Sequence, residues 1–129
     1  MPNLSIPVLC YKTTIHSYSI ERQYCLDDYN GLFISSRQTA LNFRHRVSEP
    51  RYFSDWHVAG DPTLVLIRSG ILRIGLREDC YHHFCAGDVF IAQDTLPANN
   101  FFNNNIHGHT AQVIGDQQLI ALHLKLSTI

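Results

Sequence analysis

From Leu41 to the C-terminus the dominant hydrophobic period is two, carried by short runs rich in Val, Ile, Leu, Phe and Thr. That is the spacing of strands whose successive side chains point to opposite faces of a sheet. The runs predict strands at Leu41 to Val47, Thr63 to Arg68, Ile71 to Arg77, Tyr81 to Cys85, Val89 to Ala92, His109 to Ile114 and Leu119 to Leu126. Turn chemistry separates them: Ser69 and Gly70, Arg77 to Cys80, Ala86 to Asp88, and Gly115 to Gln118. No segment after Leu41 has helical spacing. Residues 1–40 are harder to read, because "YSIERQYCLDDYNGLF" fits either a helical turn or an irregular strand ahead of a turn at Asn30 and Gly31.

The length of 129 residues suits one domain, residues 1–129, with a core large enough to need no disulfide or metal staple. Residues 1–40 read as an N-terminal extension and 41–129 as the patterned barrel or sandwich. Ten basic against eleven acidic side chains leave a formal charge of −1, which gives no reason to expect a nucleic-acid or membrane partner. Eight histidines make the charge climb as pH falls through about 6.5. No apolar run approaches the roughly 20 residues of a spanning helix, and "MPNLSIPVLCYK" lacks the parts of a secretory signal. The expectation is a soluble, cytoplasmic protein.

Cys10, Cys25, Cys80 and Cys85 form neither a C-x-x-C pair nor the Cys/His spacing of a zinc module, and are expected as free thiols. The asparagine-rich stretch "PANNFFNNNIHGH" reads as a long loop. Its Phe101 and Phe102 either fold back on the domain or form a lid or dimer contact.

Beyond these patterns, the chain from about Leu41 onward resembles the cupin superfamily. The first cupin motif, two histidines, a glutamate and a closing glycine, corresponds here to His57, Ala59, Thr63 and Gly70. The second opens at Gly87, and its histidine corresponds to His109, with His107 as the competing alignment. A narrower pattern is similar to a subgroup of single-domain cupins. It comprises Trp56, His57 and Ala59; Ser69 and Gly70; Gly87, Asp88 and Val89; Ala92, Asp94 and Thr95; and Gly108, His109 and Thr110.

The resemblance implies an all-β jelly-roll barrel (a double-stranded β-helix), usually a homodimer, with a ligand site in one mouth. The superfamily includes metal-dependent oxygenases and isomerases, metal-free epimerases and pure binding domains, so the fold does not select a reaction. Where a metal-binding cupin has its second histidine and its glutamate, this chain has Ala59 and Thr63. Alanine cannot ligate and a neutral hydroxyl is a poor ligand for a divalent ion. No cofactor is favoured. A bound divalent metal stays open, with His57, His109 and His107 as the set, or Asp94, His45 or His123 as the third donor.

The expected site is therefore a small pocket for an organic molecule, with His57 and His109 as catalytic or polar contacts and Thr63, Trp56, Arg44, Arg46, Asp94 and His107 around them. With Thr63 turned inward, alternation sends Val65 and Ile67 inward too, and Ile120, Leu122, Leu124 and Leu126 supply a second apolar face. Asn42, Arg44 and Arg46 form either a solvated edge or polar walls able to bind a carboxylate. Three functions compete: a metal-independent acid/base enzyme or binder, a metal-dependent oxygenase or isomerase with a reduced ligand set, and a non-enzymatic sensing or interaction domain.

Overall fold

The computed structural model describes residues 4–12, 16–96 and 101–127, with residues 10–12 and 16–20 as backbone only. It is all-β, and no helix occurs among the described residues, so none is long and apolar enough to cross a membrane. The strands are β1 (Leu4–Lys12), β2 (His16–Tyr24), β3 (Asp27–Tyr29), β4 (Leu32–Ile34), β5 (Ala40–Ser48), β6 (Phe53–His57), β7 (Thr63–Ser69), β8 (Ile71–Leu76), β9 (Cys80–Cys85), β10 (Val89–Ala92), β11 (His109–Ile114) and β12 (Leu119–Leu126). All seven runs read from the hydrophobic pattern are strands.

The described residues form the sheets β2-β1-β10-β7-β12-β5 and β6-β11-β8-β9 and the small hairpin β3-β4. Every pairing is antiparallel except β1 with β10. The two large sheets face each other. Phe84 of β9 stacks on Phe90 of β10 at 4.3 Å between ring centroids, and one buried cluster draws Val65, Ile67 and Ala121 from one sheet and Leu72, Ile74 and Val113 from the other. From β5 to β12 each connection except β8 to β9 carries the chain from one large sheet to the other. No ladder among the described residues joins the sheets along β5 and β6 or along β2 and β9, so the strands do not close into a hydrogen-bonded barrel.

The N-terminal region resolves into strands rather than a helical turn: β1 and β2 extend the six-stranded sheet, and β3 and β4 turn at Asn30 and Gly31, both with positive φ. At Gly70 the chain leaves β7 for β8 with φ +87°, and a Cβ there would lie 2.5 Å from the Gln118 carbonyl oxygen. Glycine is what lets the chain turn the corner between sheets so close to the start of β12.

One expectation about faces needs correction. Thr63, Val65 and Ile67 do point inward, but on β12 the register with β7 pairs Ala121 with Ile67, His123 with Val65 and Lys125 with Thr63. The inward residues of β12 are therefore Leu119, Ala121, His123 and Lys125. Ile120, Leu122 and Leu124 lie on the outer face beside Leu64 and Leu66; only Leu126, beyond a register shift, is buried as expected.

Candidate functional site

A cavity of about 230 Å³ lies between the large sheets. Its walls come from both: Thr63, Val65, Phe90, Ala92, Ala121, His123 and Lys125 on one side, Ser54, His57, Leu72, Ile74, His109 and Val113 on the other. The strands β5 and β6, each at an edge of its sheet, contribute Arg46 and Ser54, and exposed Arg46 and Tyr52 bring the cavity to solvent. The volume is many times the roughly 30 Å³ of a water molecule and just under the ~300 Å³ at which pockets for drug-sized ligands begin.

His57 and His109 are direct cross-strand partners in the β6–β11 ladder, and their rings lie 4.4 Å apart, tilted by 58°. The ladder shifts register between His109 and Ala111, so that Ala111 pairs with Ser54. The extra residue on β6 is a bulge, and it lets Ser54 and His57, three positions apart, both face the cavity. Gly108, with φ +84°, makes the close approach possible: a Cβ at that position would collide with the carbonyl of His57.

Each imidazole is held from behind. The Nδ1 of His57 lies 2.6 Å from the Asp55 carbonyl oxygen, to which it donates, and 3.2 Å from Ser54 Oγ. His57 therefore keeps its lone pair on Nε2. Burial, and then the neighbouring His109, hold its pKa below the ordinary 6.5. His109 donates from Nδ1 to Oδ2 of Asp94 at 2.5 Å, and Asp94 is completely buried. A carboxylate in that position fixes both the ring's orientation and the nitrogen that carries the proton. Among the described residues neither Nε2 has a hydrogen-bonding partner.

Of the residues expected around this pair, Thr63 and Arg46 line the cavity; Trp56, Arg44, Asp94 and His107 do not. Thr63 turns its hydroxyl back to donate to the Asp61 carbonyl at 2.9 Å. Trp56 falls on the other side of the β6 bulge, on the outer face of the four-stranded sheet, where the Arg77 guanidinium lies 3.5 Å above its ring. Arg44 lies in a shallower surface groove beside the cavity, with Asn42, Arg46, His123 and Lys125. Asp94 sits behind His109 rather than in the cavity. His107 is buried outside it: its Nδ1 accepts from the Asn103 N–H at 2.9 Å and its ring faces Phe102. Of the two competing histidines, His109 is the one that meets His57. Phe101 is 91% exposed, whereas Phe102 reaches back to His107; residues 97–100 lie outside the described residues.

Ala59 offers no side-chain ligand and the Thr63 hydroxyl is engaged with the Asp61 carbonyl. Among the described residues no group of three or more His, Cys, Asp or Glu is placed to hold a metal ion. His45 is on the outer face of β5 against Phe43, at 6.1 Å between rings. His123 lines the cavity, where burial followed by Arg46, Lys125 and Arg44 lowers its pKa to about 4. Cys25, Cys80 and Cys85 are free and exposed; the side chain of Cys10 is outside the described residues.

Sequence reasoning missed Lys125, Tyr52 and Ser54. Lys125 donates to the Ala59 carbonyl at 2.8 Å, tying β12 to the loop that follows His57. The available signal was the alternation His123, Lys125 within the last strand, which the leucines of the opposite phase outweighed. No family model and no curated protein sequence matches this chain.

Proposed function

We propose that this chain is a single-domain cupin of the jelly-roll type that binds a small organic molecule without a firmly held metal, with His57 and His109 as the working pair. The observation that carries the reading is the juxtaposition of two imidazoles from separate strands, 4.4 Å apart, at the wall of a cavity that reaches solvent. Two facing sheets between which successive strands alternate support the jelly-roll assignment.

Proton transfer is the chemistry the pair suits, as in an isomerisation, epimerisation, cyclisation or dehydration, because each ring has its Nδ1 engaged and its Nε2 left as a proton acceptor at the cavity wall. His57, uncharged and with Nδ1 committed to a backbone carbonyl, accepts a hydrogen bond from the ligand at Nε2. His109, with Asp94 behind it, takes up and returns the proton at Nε2, the carboxylate offsetting the charge the ring acquires. A sensing domain would use the same contacts without turnover.

The homodimer belongs to the same proposal. What supports it is β5, whose outer edge is unpaired among the described residues and whose Leu41, Phe43 and Val47 are exposed, a surface that a two-fold-related copy could cover.

The test is protein-observed NMR with a library of small polar and aromatic compounds. Hits are expected to shift the cavity resonances of Ile74, Val113 and both histidines, and His57→Ala and His109→Ala are each expected to weaken binding at least tenfold while the fold stays intact. Global unfolding of both variants would recast the pair as core residues.

A further inference from the structure

Among the described residues, the charged side chains that line the cavity are Arg46 and Lys125, with no aspartate or glutamate beside them. This one-sidedness is local, since the whole chain has ten basic and eleven acidic side chains. It follows from the β5–β12 register, which pairs Arg46 with Ala121, Arg44 with His123 and Asn42 with Lys125, and so puts all three cations on the face that turns toward the second sheet. None of the three forms an ion pair with a carboxylate among the described residues. The Lys125 side chain donates to a neutral backbone carbonyl, Ala59 O, rather than to a carboxylate. Arg44 and Arg46 are exposed and Lys125 is half-buried; like charges gathered at one rim repel one another, and an anion seated among them relieves that repulsion.

Arg46 acts electrostatically on both His57 and His123, which places the cationic rim and the imidazole pair in one field. Deeper in, Val65, Leu72, Ile74 and Phe90 give the cavity an apolar lining.

We infer that the ligand is a small carboxylate with an apolar body, its carboxylate held by Arg46 and Lys125 at the rim and its body against Val65, Leu72, Ile74 and Phe90. The inference rests on the reading of this cavity as a ligand site and names the chemistry the site takes. A carboxylate matches the planar fork of one arginine with a lysine as second donor. A phosphate dianion has more acceptor oxygens to satisfy than the rim's donors provide, and no apolar part for the lining. Held in this way, the carboxylate presents the rest of the molecule to Nε2 of His57 and His109.

The experiment is calorimetric titration of the intact protein with benzoate, phenylacetate and hexanoate, with the amide of each, and with inorganic phosphate. At least one acid is expected to bind at least tenfold more tightly than its amide, with an affinity that falls as salt is added. Arg46→Gln, at an exposed position, and Lys125→Met, which keeps the apolar stem, are each expected to weaken the acid at least tenfold and leave the amide within twofold. Amides that bind as well as acids, or acids unaffected by Arg46→Gln, would overturn the carboxylate inference and leave the cavity reading standing. Phosphate binding more tightly than every acid would overturn it in favour of a phosphorylated ligand. If no acid, amide or phosphate binds, the carboxylate inference and the cavity reading fall together.

Discussion

Asp94 meets His109 from behind the cavity wall, accepting the Nδ1 proton of a ring whose other edge faces His57. The carboxylate lies fifteen residues before the imidazole it orients, on the segment that follows β10, and the two are brought together by the return of the chain along β11. Asp94→Ala is expected to leave that Nδ1–H without this acceptor in a buried site, at a cost of about 1–3 kcal/mol, measurable by urea denaturation. Asp94→Asn keeps an acceptor and should recover most of the stability. In the alanine variant, nitrogen-15 spectra of the imidazole should show His109 losing its preference for the Nδ1–H tautomer; an unchanged tautomer would remove Asp94 from its positioning role.

Gly108 holds the second relationship. Alanine there has to adopt a left-handed backbone at about 1–2 kcal/mol and clash with the His57 carbonyl as well. Gly108→Ala is therefore expected to lower the melting temperature and to separate the two rings, which would appear as loss of the nuclear Overhauser contacts between them. A variant that kept both would show that β6 and β11 tolerate the extra carbon.

Stability should depend on pH through His123 and His57. Both have folded pKa values below 6.5, so between 6.5 and about 4 the unfolded chain binds protons that the folded chain does not. The stability associated with the neutral rings is thus present above pH 6.5 and is lost as pH falls toward 4. The limiting slope is about 1.4 kcal/mol per pH unit for each proton, and solvent screening of the half-exposed His123 keeps its share below that. Around His123 the facing charges are Arg46, Lys125 and Arg44; around His57 they are His109, Asp94 and Arg46. His123→Gln should flatten denaturation midpoints measured from pH 7 to pH 4.5, and an unchanged profile would mean that His123 titrates normally.

The outer face of β5 makes the oligomeric state testable. Phe43 is 66% exposed beside a strand edge that is unpaired among the described residues. Phe43→Lys is expected to convert a dimer into a monomer in sedimentation-velocity experiments without changing ligand affinity; wild-type protein that sediments as a monomer at high micromolar concentration would contradict the dimer.

Much of the framework was legible because β7 to β12 are separated by turn residues whose backbone demands are local, such as Gly70, Gly87 and Gly115. The face of β12 was not. Its Ile120, Leu122 and Leu124 line up in one phase and its Leu119 and Ala121 in the other, and only the register with β7 decides between them. The strand β6 escaped for a related reason: its bulge breaks the alternation from which a strand is read, and the same bulge brings Ser54 and His57 to one cavity. His57 and His109 were singled out by motif positions, whereas the Arg46–Lys125 rim depends on which faces β5 and β12 turn to the second sheet, a tertiary fact with no short-range signature.

The central claim is that His57 and His109 stand side by side on one wall of a ligand cavity. The most direct measurement is a high-resolution crystal structure of the protein soaked with the tightest-binding carboxylate of the series. The account expects density for the compound within hydrogen-bonding distance of Nε2 of both rings, its carboxylate at Arg46 and Lys125. Imidazoles turned away from the cavity, or a compound bound elsewhere with the cavity beside the two rings empty, would contradict it.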